Sequence, residues 1–200
     1  MKIVLGIGNP GERYAETRHN AGFMVVDELV RRAGGAAFRS RFDSLVADVA
    51  LGGERTLLMK PQTYVNESGR ALRQALDWYG AGLEDILVVV DDFNLPLGVL
   101  RARRGGSSGG HNGLESIASH LGGTEYARLR VGIGSEFRRN DKDFVLSPFD
   151  ASDRELVRAS VERAASAVEV WARDGIERCM SVCNARSVQT GGKDEKEENV

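Results

Sequence analysis

The run Asp85–Asp92, "DILVVVDD", constrains the fold more than any other segment of the chain. Its five consecutive apolar residues, four of them β-branched, lack the alternation of a half-buried strand and the length of a helix. Both faces of such a strand must be covered, which places it inside a parallel or mixed sheet. Partners are available along the chain. "KIVLGI" is a second apolar strand, "SLVADVAL" and "RTLLMKP" flank a Gly-Gly pair as a hairpin, and "GVLRARR" and "RLRVGIG" supply two more. "AGFMVVDELVRRAGG" spaces Phe23, Val26, Leu29, Val30 and Ala33 at helical intervals, with Asn20 as its N-cap and Gly34 as its stop. "SGRALRQALDWYG", "LESIASHLG" and "SDRELVRASVERAASAVEVWARDG" also read as helices, and "IERCMSVCNAR" as a shorter one after them. Strands alternating with helices predict a single-domain α/β fold: a mixed, mostly parallel twisted sheet with helices on both faces.

The expected domain covers residues 1–186, followed by a polar, disordered tail over 187–200 that ends in "KDEKEENV". The apolar start breaks at glycine before reaching the length of a signal segment, and no stretch approaches membrane-spanning length. The expectation is a cytoplasmic protein with no membrane contact. Cys179 and Cys183 are the only cysteines, and their i, i+4 spacing on one helix face disfavours a disulfide.

Two motifs point the wrong way. "GIGNPG" fits the dinucleotide fingerprint after a strand, but "ERYAETRHN" stands where the helix should begin, and Pro10 removes a backbone donor from the turn. The acidic residue expected at the end of a second strand is absent, since Asp27 falls within a helix. Ser107 and Ser108 lie in "RGGSSGGHNG", which is no nucleophile elbow; a flexible glycine-serine loop is the simpler reading. Neither H-E-x-x-H nor a Cys-x-x-Cys pair is present to hold a metal.

The net charge of −2 conceals an uneven distribution. Between Asn94 and Arg139 seven arginines face three glutamates, a local excess of +4 that a phosphate backbone would meet directly. In "VLRARR", Arg101 and Arg103 should share one strand face, with Arg104 at the end and Arg128 and Arg130 nearby in the pattern.

Two of the three histidines, His19 in "TRHNAG" and His111 in "GGHNGL", stand before asparagine among small residues, unlike histidines of an apolar core. Ligands of open α/β sheets gather at the carboxyl ends of strands, which here gathers Asn9 after the first strand and Asp91 at the end of "ILVVVD". A carboxylate following that apolar run needs a hydrogen-bond partner, and His19, in the loop between the first strand and its helix, is the expected one.

The segments "GNPG", "TRHNAG", "KPQTYVNESG", "VVVDDFNLPLG", "GGSSGGHNGL" and "RLRVGIG" resemble, in order, the signatures of bacterial-type peptidyl-tRNA hydrolase, from Met1 to about Arg186. The resemblance implies hydrolysis of the ester between a peptide and the 3′ end of tRNA, recycling the tRNA, by a monomer without metal or cofactor. It implies that His19 is catalytic with Asp91 as its partner. Asn9, Asn66 and Asn112 match the residues that position substrate and water, Val65 a substrate contact, and Tyr14 a tyrosine at the tRNA end. Arg101, Arg103, Arg104 and Arg130 would bind tRNA phosphates.

The residue types suit the chemistry. An imidazole that titrates near neutrality can deprotonate water for attack on an activated ester, and a carboxylate fixes its tautomer and stabilises the imidazolium. Amide side chains can orient water or meet an oxyanion. For His111 the reading stays open between orienting the loop, so that Asn112 faces the crevice, and contact with substrate. Asn66 also suits a helix N-cap. His120 belongs to a helix C-terminus. Three positions depart from the family pattern: Val65 replaces a usual methionine, Asn94 a common aspartate, and Arg103 a phosphate-binding lysine. The rival reading is a catalytically silent RNA-binding relative of the same fold, against which the retained His19, Asp91 and asparagines count.

Overall fold

The computed structural model describes residues 1–134 and 141–185. Arg138, Arg139 and the expected tail over 187–200 lie outside the described residues. Seven strands form one sheet: β1 (Lys2–Gly6), β2 (Arg39–Arg41), β3 (Ser44–Leu51), β4 (Glu54–Pro61), β5 (Ile86–Asp92), β6 (Leu100–Arg103) and β7 (Ala127–Gly132). Their order is β2-β3-β4-β1-β5-β7-β6. The central strands β4, β1, β5 and β7 are mutually parallel, while β3 and β6 run against their neighbours, so the sheet is mixed and mostly parallel. Every residue of β5 is buried, as its unbroken apolar run requires.

The helices are α1 (Ala21–Arg32), α2 (Ser68–Tyr79), α3 (Asn112–Leu121), α4 (Asp141–Val145) and α5 (Arg154–Asn184). Val25, Val26 and Leu29 of α1 join Val168 and Trp171 of α5 in the core on one face of the sheet. Leu72 and Leu76 of α2 join Leu114 and Ile117 of α3 on the other. The two helices expected at the C-terminus are present as one element broken at Gly175, whose φ of 81° and ψ of 179° no helix allows. Beyond the break, Cys179 and Cys183 are buried free thiols 4.0 Å apart on one helix face. The short edge strand β2, with two arginines and a serine, carries no hydrophobic signal and is not visible in the sequence pattern.

In "GIGNPG" Gly6 and Gly8 serve packing, while Gly11 lies in open space at a φ of 104°. A methyl group on Gly6 would meet the Gly22 carbonyl oxygen at 2.3 Å, and one on Gly22 would meet the Ile7 backbone nitrogen at 2.5 Å. The first strand and first helix therefore approach at backbone contact, and the loop between them is pulled across the carboxyl end of the sheet.

Candidate active site

Between β1 and α1 the chain makes two 3-10 turns, Glu12–Tyr14 and Arg18–Asn20. The second places His19 over the end of β5. His19 Nδ1 lies 2.9 Å from Oδ1 of Asp91, and His111 Nε2 lies 3.0 Å from the same oxygen. The two imidazole rings stand 5.1 Å apart. Asp91 is buried, and its Oδ2 has no hydrogen-bond partner among the described residues.

Burial works against charge on this carboxylate, but the charges and hydrogen bonds of His111 and His19 outweigh it and hold Asp91 well below the usual carboxylate range. For His19, burial pulls the pKa down while the Asp91 charge and hydrogen bond push it up, and the net direction is upward. The ion pair thus wins over desolvation at both ends.

The tautomers follow from the hydrogen bonds. The Gly113 backbone N–H donates to His111 Nδ1 at 3.1 Å, making His111 the N-cap of α3, so the His111 proton sits on Nε2 and points to Asp91. His19 donates from Nδ1 to the same carboxylate, which leaves its Nε2 lone pair as the basic site. His19, Asp91 and His111 are also the only cluster of three ligating side chains among the described residues. A metal on His111 Nε2 would require the proton on Nδ1, where the Gly113 N–H already donates, so the hydrogen bonds as they stand disfavour ligation through that nitrogen.

Asn9 is held on several sides. Its backbone N–H donates to Asn20 Oδ1 at 2.8 Å, and Asn20 Nδ2 donates to the Asn9 carbonyl at 3.0 Å. The Val65 backbone N–H donates to Asn9 Oδ1 at 3.2 Å, which turns the amino end of the Asn9 amide toward the crevice as a donor. Asn20 occupies the N-cap position of α1, but its side chain does not cap; the bonds to Asn9 take its amide instead. The sequence holds no sign of this role beyond the polar residue itself.

These groups surround a crevice of about 550 Å³ lined by Asn9, Tyr14, His19, Val65, Asn66, Asp91 and Asn112, all of which the sequence singled out. His111 lines it too. Tyr64, Phe93, Val145 and Leu146 complete an apolar side that the sequence pattern left unmarked. Asn66 is exposed in a 3-10 turn, Val65–Glu67, and Glu67 stands at the N-cap of α2, so Asn66 is no cap.

The arginines divide. Arg101 and Arg103 are exposed on one face of β6, and the alternate residues Leu100 and Ala102 are buried. Arg104 Nε is 2.5 Å from Glu177 Oε1, and Arg130 Nε is 3.0 Å from Asp92 Oδ2. Arg128 does not join a surface patch: it is 2% exposed, donates to the carbonyls of Ser107 and Thr124 at 3.0 and 2.9 Å, and stacks on Tyr126. It anchors the Gly-Ser loop from beneath. Ser108 Oγ donates to Glu115 and accepts from the Gly110 N–H, a loop-shaping role.

The family model for peptidyl-tRNA hydrolase matches residues 3–191. The chain belongs to the peptidyl-tRNA hydrolase family. The peptidyl-tRNA hydrolase of Carboxydothermus hydrogenoformans is 45% identical over 184 residues, covering 92% of this chain and 98% of the relative. That of Syntrophomonas wolfei is 42% identical over 184 residues, covering 92% of this chain and all of the relative. The crystal structure of the peptidyl-tRNA hydrolase from Acinetobacter baumannii superposes with a TM-score of 0.86 at 32% identity, covering 92% of this chain and 95% of that one. No helix among the described residues of this family member is long and apolar enough to cross a membrane.

Proposed function

We propose that the chain hydrolyses the ester between peptide and tRNA in peptidyl-tRNA, with His19 Nε2 as the general base for the attacking water. The observation that carries this reading is the Asp91 carboxylate oxygen 2.9 Å from His19 Nδ1, which leaves the opposite nitrogen unprotonated beside the crevice. As the water proton moves to Nε2, the imidazolium gains the full attraction of Asp91. Asn9, through its amide donor, together with Asn66 and Asn112, positions the peptide, the water and the developing oxyanion; Val65 forms the apolar floor and Tyr14 flanks the tRNA end. No step in this scheme needs a metal.

Arg101 and Arg103 are the principal phosphate contacts, and Arg104 and Arg130 contribute through charges already shared with Glu177 and Asp92. We take residues 1–186 as the catalytic domain, acting as a monomer in the cytoplasm, where its substrate is made. The free thiols of Cys179 and Cys183 accord with a reducing compartment. The test is release of the acyl-amino acid from N-acetyl-aminoacyl-tRNA by the purified chain, with and without chelator, beside His19→Ala. Turnover by the native chain that survives chelation and vanishes in the variant is the expected result. Binding of tRNA without turnover would make the chain a silent relative.

A further inference from the structure

Arg18 is the residue directly before the proposed base, and it is 7% exposed despite the cost of burying a guanidinium. Its Nη1 donates to the Pro148 carbonyl at 2.8 Å, and its Nη2 donates to Asp150 Oδ2 at 3.1 Å. The guanidinium lies 4.8 Å from the Phe144 ring centroid and 5.0 Å from that of Phe149. The Arg18 backbone N–H donates to the Ser147 carbonyl at 3.0 Å, and Thr17 forms a β-bridge with Pro148. Residues 17–18 therefore grip the segment 144–150 through the backbone, both polar arms of the side chain and its flat faces.

That segment carries Val145 and Leu146, which line the crevice that His19 also lines. We propose that Arg18 is a positioning residue that holds this apolar wall in register with His19, and so sets how tightly the acyl portion of the substrate is held. The proposal rests on the crevice being the substrate site. The Asp150 side chain is 72% exposed, so the ion pair itself is a minor part; the geometry of the fork and the two aromatic faces supplies the hold. Lysine offers the same charge without either. The effect falls on substrate binding rather than on the base, because His19 takes its tautomer from Asp91 and not from Arg18.

The test is steady-state hydrolysis of N-acetyl-aminoacyl-tRNA by the full chain across pH. Arg18→Lys is expected to raise KM about tenfold, the low end of what one misplaced methylene costs in an apolar pocket. Its kcat should stay within about twofold of the native value, as uniform loss of binding implies, with the acid limb of the profile unmoved. Phe144→Leu should raise KM in the same direction, and the double variant should be no worse than Arg18→Lys alone, because both remove one hold. An unchanged KM in a folded Arg18→Lys protein overturns the proposal. So does a lower kcat with a displaced acid limb and a native KM, which would mean that the arginine acts through His19. Should Arg18→Lys fail to fold, a native KM in Phe144→Leu is enough to reject it. Loss of the underlying site would show differently, as turnover retained in His19→Ala.

Discussion

His19 and His111 donate to one and the same oxygen of Asp91, at 2.9 and 3.0 Å. A single buried charge thus orients two imidazoles whose other nitrogens differ: Nε2 is left as the basic nitrogen of His19, a residue that lines the crevice, and Nδ1 of His111 caps α3. The pair Asp91–His19 also sets the pH response, and activity and stability run in opposite directions across it.

A general base works only when neutral, and the His19 pKa is raised above the usual 6.5. The acid limb of the kcat/KM profile is therefore expected above that value, with activity falling as pH drops through it. In Asp91→Asn, burial remains and the attraction is gone, so the limb should move below 6.5 while kcat drops. Stability follows the opposite sign for His19: the ion pair contributes fully below the unfolded pKa and fades as pH rises through the folded one. Asp91, whose pKa is depressed, contributes above the usual carboxylate value of 3.8 and loses that contribution as pH falls. Denaturant titrations of the native chain and Asp91→Asn at several pH values check both signs.

His111→Ala removes a helix cap and one of two donors to a buried carboxylate. The cap alone is worth about 1 kcal/mol, to be read as a lower denaturation midpoint. Turnover should fall by about tenfold through a less firmly held Asp91, well short of the roughly 100-fold or greater loss expected of His19→Ala. His111→Asn, which can still cap, should recover the stability but not the turnover. Equal kinetic losses at His19 and His111 would give His111 a direct part in the chemistry.

The local patterns that made this site legible were those with a cause in sequence. The apolar run before Asp91 could only be a strand buried on both faces, so its carboxylate had to meet a partner, and alternation in "VLRARR" placed Arg101 and Arg103 on one side. Arg128 continued the same basic pattern yet lies buried, because the loop above it offers two carbonyls and Tyr126 a ring face; no periodicity reports the distant loop that covers a strand. Asn20 was legible as a cap position and not as the support of Asn9, since the two residues meet only when Gly6 and Gly22 bring β1 against α1. Val145 and Leu146 on the apolar side of the crevice belong to the segment that Arg18 contacts, and those contacts join residues more than a hundred positions apart.

Among the described residues Asp91 is the only carboxylate lining the crevice, and both histidines already draw on it. A substrate with a free ammonium at its amino end would lose hydration there and find no unshared anion among those residues to pair with. N-acetyl-aminoacyl-tRNA should accordingly be hydrolysed and the unacylated aminoacyl-tRNA spared. Side-by-side release assays decide the matter, and equal rates would reject the selectivity.

Asn20→Ala deprives both the N–H and the carbonyl of Asn9 of their partners. Each buried group left unpaired costs about 1–3 kcal/mol. If Asn9 works only as Asn20 holds it, then Asn20→Ala and Asn9→Ala should each lower kcat, and their combination should lower it little further. Strictly additive losses in the double-mutant cycle would separate the two residues.

The basic residues should separate by what already occupies them. Arg103 is exposed with no ion-pair partner among the described residues, whereas Arg104 faces Glu177 and Arg130 faces Asp92. Arg103→Ala should raise KM for full-length N-acetyl-aminoacyl-tRNA and leave it nearly unchanged for a short acylated nucleotide that cannot reach β6. It should also reduce the salt dependence of tRNA binding by about one phosphate contact's worth of slope. Arg104→Ala should do the same more weakly, because Glu177 already offsets its charge. Arg128→Ala should instead lower the denaturation midpoint and impair both substrates, since it frees the loop that leads to His111 and Asn112. The decisive comparison is Arg103→Ala on the long and short substrates across a salt series. Equal impairment of the two with an unaltered slope would place Arg103 in the crevice or the fold, and would end its assignment to the phosphate backbone.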